Sequence, residues 1–391
     1  MSAHSPDAPG ATQAYIGLMS GTSMDGVDGV LGLIGVDGQW QGSLAHAHAP
    51  FDAPLRAELM ALNTSGPDEI HRAALAGQAL ARAYAQVTHQ LLPALPKGTS
   101  LRALGAHGQT VRHRPELGYT TQLLAPALLA ELTGVDVVAD LRSRDVAAGG
   151  QGAPLVPIFH EALMASPDHS VAVLNVGGMA NVSLLRPGLS PLGFDCGPGN
   201  VLMDLWCQAH LGQPFDADGA WAASGTPQST WLKLALAEPY FSLPAPKSTG
   251  RDLFHAGWLS AWLRACGLDE AGATLRAADV QATLCELSAQ SCAQAIGPEA
   301  SEVLVCGGGA LNGHFMRRLQ AALQAHGVGA SVGANKCVKV HTTEARGLPP
   351  MEVEAAAFAW LAWACVNRQS GNVPAVTGAA GARVLGAIYP A

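Results

Sequence analysis

Charge is scarce in this chain. Lys, Arg, Asp and Glu together make up 13% of its 391 residues, against 49% hydrophobic. That balance excludes a disordered chain and supports a large buried core. Basic residues are fewer than acidic ones, 22 against 30, which leaves a net charge of −8 with no block of like sign. A nucleic-acid partner, which needs a basic stripe to displace counterions, is not expected. A membrane span is not expected either. The longest apolar run, AAAFAWLAWACV at 355–366, is well short of the ~20 residues a membrane helix needs. The opening MSAHSPDAPGATQA has neither a basic region nor an apolar stretch, so it does not read as a signal peptide, and residues 1–14 are expected to be a flexible tail. The eight cysteines form no CxxC pair and all fall in the second half. Reduced, buried thiols of a cytoplasmic protein suit that pattern better than a disulfide or zinc framework.

Two nucleotide signatures are missing as well. The only Lys-Ser near a glycine is PKSTG (246–250), with no glycine directly before Lys247, so there is no Walker A loop. No strand leads into GxGxxG, which removes support for a dinucleotide fold.

What is present is a repeated plan. Residues 15–35 (YIGLM, SGTSMDGVD, GVLGLIG) and 171–185 (VAVLN, VGGMAN, VSLL) each place a glycine-bearing turn between two β-rich runs, as in a hairpin. Residues 303–319 differ: a strand runs through a triple glycine into a helical pattern with basic residues near its end. Helical stretches are expected at 54–63, 71–92, 281–296 and 351–368, with short strands at 101–108 and 135–140. Strands alternating with helices indicate α/β architecture. Two hairpins half a chain apart suggest a duplicated domain, with GGQGAPLVP (149–157) as the crossover.

The turn SGTSMDGVD (20–28) is too long for a simple hairpin, which needs two turn residues. Hydroxyls of Ser20, Thr22 and Ser23, with the local amides, can cradle phosphate oxygens. Asp25 and Asp28 would repel a phosphate unless a cation lies between, and Mg²⁺ is the usual one. Alternatively, either aspartate simply braces the turn. In GGGALNG, glycine allows close backbone approach to a nucleotide base and ribose, or else makes a tight strand-to-helix turn. Asp195, in FDCGPGN ahead of a helical pattern, is either a general base kept ionised by helix-terminal amides or that helix's cap.

In order, these segments resemble the two phosphate-binding segments and the adenosine segment of the sugar kinase, actin and chaperone ATPase superfamily. Longer strings narrow the resemblance. SGTSMDGVD, AHGQT (106–110), DLRSRDVAAGGQGAPLVP (140–157), LNVGGMANVS (174–183), FDCGPGN (194–200), PAPKSTGRDLF (244–254), CGGGALN (306–312) and VEAAAFAWLA (353–362) together look like anhydro-N-acetylmuramic acid kinases. Many members carry Phe where Leu141 stands, a departure with no expected effect on chemistry.

The resemblance implies two RNase H-like (actin-like ATPase) domains flanking a nucleotide- and sugar-binding cleft. The expected boundaries are 15–148 with 370–391 for the first domain and 149–369 for the second. It also implies ATP and Mg²⁺, a small-molecule sugar substrate and a homodimer. The family opens 1,6-anhydro-N-acetylmuramic acid with water and phosphorylates O6, in cell-wall recycling. By the same resemblance Asp195 is the catalytic base. Gly21, Thr22, Ser23, Met24, Asp25, Gly26, Val27 and Asp28 hold the phosphates, with Asp25 near the metal. Gly177 and Gly178 approach the phosphates from the second domain, and Gly307, Gly308 and Gly309 flank the adenosine. His107, Arg142 and Glu354 are the sugar-binding candidates, Arg142 by offering a planar fork to the lactyl carboxylate. Lys247 and Arg251 are read as ordering a nearby loop, or as a solvated basic turn. Two rival readings stand beside this one: another sugar or polyol kinase of the superfamily, and an actin-like or chaperone-like ATPase.

Overall fold

The two β-rich runs on either side of SGTSMDGVD pair as a hairpin. Strand β1 (Thr12–Met19) lies antiparallel to β2 (Gly26–Gly35), with Tyr15 opposite Gly32 and Met19 opposite Asp28. The structure is a computed structural model that describes residues 12–21, 24–268, 276–328 and 338–391. Thr22 and Ser23, two expected phosphate contacts, lie outside the described residues. Because β1 begins at Thr12, residues 12–14 belong to a strand and not to the expected tail.

The chain divides into two units, Met1–Leu163 with Glu352–Ala391, and Met164–Met351. In the first unit β3 (Trp40–Pro50) extends the hairpin antiparallel, and β4 (Leu101–Ala106) and β7 (Val137–Ala139) add in parallel on the other side. The C-terminal strand Ala387–Tyr389 closes the far edge, giving a six-stranded sheet. A separate ribbon joins β5 (Gln109–Arg114) to β6 (Tyr119–Leu123). The second unit repeats the scheme. Strands β8 (Val171–Val176), β9 (Met179–Leu185) and β10 (Leu192–Pro198) run antiparallel, while β11 (Glu302–Cys306) and β12 (Lys339–Thr342) add parallel to β8. Both sheets thus share the order third, second, first, fourth, fifth, which is the RNase H-like plan and accounts for the duplicated hairpins.

Two helices cover the first sheet. Helix Glu69–Leu91 presents Ala76, Leu80, Ala81, Tyr84, Val87 and Leu91 along one stripe, at the spacing of an amphipathic helix. Helix Val353–Val366 is different, buried on nearly every side from Ala355 to Cys365. It approaches so closely that a Cβ on Gly17 would lie 1.8 Å from the Ala355 carbonyl oxygen, and one on Gly105 1.9 Å from that of Phe358. These two glycines let the helix sit on β1 and β4, which places it in the first unit. The sequence reading had put it in the second, because chain order says nothing about which sheet carries the matching glycines. In the second unit, Ala277–Ile296 is the correspondingly buried helix.

Candidate functional site

The first glycine loop is held from below by AHGQT. Ser20 Oγ donates to the Gly108 carbonyl at 3.1 Å and meets the Tyr84 hydroxyl at 2.9 Å, while Gln109 Nε2 donates to the Gly21 carbonyl at 3.1 Å. The backbone amide of His107 donates to Leu18 O at 3.0 Å. Ser20 is therefore fully buried and committed to the protein, not available to a phosphate as its residue type suggested. Burial of Tyr84 pushes its phenol up, so it stays a neutral hydrogen-bonding partner. Met24 and Val27 face the core, so only their backbones remain for a ligand. Gly21 and Gly26 flank this turn, and Asp25 is exposed on it.

Asp28 has a different occupation. Its Oδ1 is reached by His48 Nδ1 at 3.0 Å and His46 Nε2 at 3.3 Å from neighbouring β3. Burial alone would raise its carboxyl, but these hydrogen bonds and the histidine charges outweigh it and hold Asp28 below the usual range. Of the two aspartates, Asp28 is the one that braces the strand.

His107, Arg142 and Glu354 come together within the first unit. The Arg142 Nε–H donates to His107 Nε2 at 3.0 Å, and its Nη1 donates to the Gly152 carbonyl at 2.7 Å. Since His107 Nε2 accepts, Nδ1 carries the proton and donates to Ser20 O at 3.2 Å. Both ring nitrogens are thus spent inside the protein, and His107 braces Arg142 where a direct sugar contact was expected. Burial first and the Arg142 charge second push His107 down to about 3, so the ring is neutral at working pH. Arg142 itself is lowered by burial to about 10, against the opposing charges of Glu354 and Asp145, and remains a cation. Its Nη2 has no hydrogen-bond partner among the described residues, so one of its three nitrogens is left unbonded. Behind it, Asp145 is fully buried. It accepts from Asn372 Nδ2 at 2.6 Å, Thr377 Oγ1 at 2.7 Å and the Gly152 amide at 2.8 Å, which ties the C-terminal segment to the loop that anchors Arg142.

In the second unit Asp195 sits inside β10, and Pro198 ends that strand instead of opening the following helix. Helix Val201–Leu211 starts at Asn200 with no side-chain cap, so Asp195 is not its cap. Both carboxylate bonds go elsewhere: Ser248 Oγ and the Thr249 amide each donate to Oδ2 at 3.0 Å. Oδ1 has no hydrogen bond among the described residues. Burial raises the Asp195 carboxyl, and the Thr249 amide and Ser248 hydroxyl pull it only part of the way back. The expected helix-terminal amides are therefore not what keeps it ionisable; one hydroxyl and one amide, 53 and 54 residues away, do so. The register slips between Asp195 and Gly197, a bulge that re-aims side chains at this point. Gly197 holds φ +143 there, and a Cβ would strike the Phe241 ring at 2.7 Å. Phe194 and Cys196, the neighbours of Asp195 in the strand, line a cavity of about 230 Å³ with Phe241, Leu243 and Lys247. Asp195 itself is not among the residues that line it.

The remaining glycine segments converge on the same unit. Gly177 O accepts from the Asn200 amide at 2.8 Å, and Gly178 O accepts from the amides of Gly199 at 2.9 Å and Val201 at 3.0 Å. The β8–β9 turn is thereby fastened to the start of the helix that follows Asp195. Gly307 stands beside Asn175 and Val176, where a Cβ would meet Asn175 Oδ1 at 2.5 Å, while Gly308 faces Asn200 and Gly309 packs on Val176. The glycines are needed because three backbones meet here.

Sequence reasoning missed Ser248 and Thr249 as holders of Asp195, Gln109 as a support of the first loop, and Asp145 as an anchor. PKSTG and DLRSRD were visible as strings, but nothing local in either says which distant carboxylate or carbonyl it meets.

A sequence model of the family described as anhydro-N-acetylmuramic acid kinase matches residues 13–391. The chain is 56% identical over 394 residues to a protein of that name from Variovorax paradoxus (strain S110), covering 97% of this chain and 100% of the relative. Against the protein of the same name from Bordetella avium (strain 197N) it is 55% identical over 388 residues, covering 99% and 98%. Among solved structures, a ROK hexokinase from Thermus thermophilus aligns over 90% of this chain and 99% of its own at 14% identity and a TM-score of 0.38, too loose a likeness to bear on the site.

Proposed function

The chain belongs to the anhydro-N-acetylmuramic acid kinase family, and from that premise we propose how its residues carry out an ATP-dependent opening and O6-phosphorylation of 1,6-anhydro-N-acetylmuramic acid. Asp195 Oδ1 takes a proton from the water that attacks C1. The bond from C1 to the anhydro oxygen breaks, and that oxygen, still attached to C6, forms the new bond to the γ-phosphorus as ADP leaves. The products are N-acetylmuramic acid 6-phosphate and ADP, as expected of an enzyme of peptidoglycan recycling. The arrangement that carries this reading is the carboxylate of Asp195, pinned through Oδ2 by two donors with Oδ1 left over. A base held in one orientation with one oxygen available is what general-base attack by water asks for.

The other roles are proposed from the family resemblance, with the contacts inside each unit in support. Arg142 offers Nη2 to the lactyl carboxylate, His107 keeps the guanidinium plane turned, and Glu354 reaches a sugar hydroxyl. In the first unit Gly21, Asp25 and Gly26 are the proposed phosphate contacts through main-chain groups; in the second, Gly177 and Gly178 are proposed for the phosphates and Gly307, Gly308 and Gly309 for the adenosine. For Mg²⁺, Asp25 is the residue that fits. It is an exposed carboxylate on the phosphate turn, and the described residues contain no group of three or more His, Cys, Asp or Glu side chains able to hold a metal. That donor set suits an ion held largely by phosphate oxygens and water, where it would offset phosphate charge. We also infer a homodimer acting in the cytoplasm. The family resemblance supports the first, and free thiols at all seven cysteines among the described residues support a reducing compartment.

A coupled ADP-release assay tests the reading directly. ADP release with anhydro-N-acetylmuramic acid, and none with free N-acetylmuramic acid or glycerol, is the expected result. Equal release with all three would point to a general polyol kinase, and release without any sugar to a partner-coupled ATPase.

A further inference from the structure

Segment 247–254 holds more than the base. It is fixed at one end by Lys247, whose Nζ donates to the carbonyls of Tyr240 and Phe241 at 3.1 Å each and lies over the Tyr240 ring. At the other end Phe254 is fully buried against Tyr240, Phe241 and Trp258. Between these anchors Ser248 and Thr249 grip Asp195, and the Gly250 carbonyl accepts from the amides of Leu253 and Phe254 at 3.2 and 3.1 Å, closing a turn. Arg251 stands on that turn. A Cβ built on Gly178 would lie 3.7 Å from Arg251 Nη2, so the guanidinium rests beside the β8–β9 glycine turn.

We propose that Arg251 is a catalytic residue of the phosphoryl transfer, its guanidinium meeting the transferring phosphate at the Gly177–Gly178 turn. This rests on the kinase reading above and adds a group to it. Three observations support the role. Arg251 is exposed and makes no ion pair within 4.0 Å among the described residues, so its charge is not consumed by a salt bridge. Both carbonyls of the turn accept hydrogen bonds from amides at 199–201, while the Gly178 N–H has no hydrogen bond among the described residues. An unbonded amide with a guanidinium beside it is suited to receive an anion. Finally, the carboxyl that feels the Arg251 charge, Asp204, is pushed up to about 7 by burial and is therefore only partly ionised at neutral pH, so it does not cancel that charge.

The chemistry balances without further parts. The bond between the γ-phosphorus and the ADP oxygen breaks as the bond to O6 forms, and Arg251 stays protonated throughout, gaining and losing no proton. Its contribution is charge, placed where negative charge spreads over the equatorial oxygens. One segment then serves both halves of the reaction, orienting the base that primes water and carrying the cation for the phosphoryl group.

Arg251→Ala and Arg251→Lys in the full chain test this, with ADP release read under saturating anhydro sugar and thermal unfolding confirming the fold of each. The expected result for Arg251→Ala is a fall in kcat of roughly 10²–10³-fold, partly restored by added guanidinium ion, with ADP affinity unchanged. Arg251→Lys, which retains the charge without the fork, is expected to lie between the two. Guanidinium ion should not restore Asp195→Asn. A kcat for Arg251→Ala within about threefold of the parent, or a fall that guanidinium ion does not relieve, overturns the proposal. A parent enzyme that releases no ADP with the anhydro sugar would instead overturn the kinase reading on which it rests.

Discussion

Replacing Asp195 by Asn should move activity and stability in opposite directions. The Ser248 hydroxyl and Thr249 amide both donate to Oδ2, so an Asn side chain can accept both through its amide oxygen and keep the same orientation. Its NH₂ then occupies the place of Oδ1 and cannot take a proton. A positioned general base is worth roughly 10²–10⁴-fold, or about 3–5 kcal/mol of barrier, and kcat in the ADP-release assay should fall by that much. Stability follows the other sign. Because burial raises the folded-state carboxyl above its unfolded value, this residue stabilises the fold fully only below the unfolded range, and the contribution fades as pH rises through the folded value. At neutral pH, then, neutral Asn replaces a charge that the fold disfavours. Thermal unfolding of Asp195→Asn at neutral pH should be at or above the parent, with the gap closing as pH falls and the parent carboxyl protonates. A variant with kcat within tenfold of the parent would refute the base role, and one that is inactive because its melting temperature has collapsed would refute the picture of how Oδ2 is held.

Other outcomes follow from the same contacts. Ser248→Ala removes one of the two donors that lower the Asp195 carboxyl, so the acidic limb of the kcat/KM profile should move to higher pH; an unmoved limb would detach Ser248 from the base. Arg142→Ala should raise KM for the anhydromuramyl sugar more than for the analogue lacking the lactyl group, and His107→Ala added to it should bring little further change, because His107 acts through Arg142. Additive effects in that pair would give His107 an independent contact. Asp145→Ala strands three buried donors, from Asn372, Thr377 and Gly152, and should cost about 3 kcal/mol or more in urea unfolding; a change below about 1 kcal/mol would show that the anchor is dispensable. Gly17→Ala drives a methyl into the Ala355 carbonyl and should destabilise by at least about 1–3 kcal/mol, read as a lower urea midpoint; an unchanged midpoint would contradict the close packing of that helix on β1.

Much of this fold was legible because its local signals are strong. Both hairpins formed around the glycine-bearing turns, although the first turn is shorter than the expected 20–28, because Gly26, Val27 and Asp28 already pair within β2. Helix Val353–Val366 was also visible as a helix, but not as part of the first unit. Its partner is a pair of glycines, Gly17 and Gly105, separated from it by well over two hundred residues, and no local pattern links them. The same limit explains the sites. His107, Arg142 and Glu354 could be named because the strings that carry them resemble those of the family. That His107 faces Arg142, and that Ser20 is buried under Tyr84, depends on tertiary contacts that residue type does not report. Asp195 was found by its motif, whereas the reason offered for its ionisation was a helix terminus. Pro198 belongs to the strand, and the donors that hold the carboxylate come from Ser248 and Thr249.

A single turnover in ¹⁸O-water, with the sugar product read by mass spectrometry before its anomeric oxygen can exchange, tests the role of solvent most directly. If Asp195 activates water at C1, the label appears on C1 and the oxygen bridging C6 to phosphorus stays unlabelled. Label recovered only in inorganic phosphate, with an unlabelled sugar, would mean that water attacks the nucleotide, and the account of this site would be wrong.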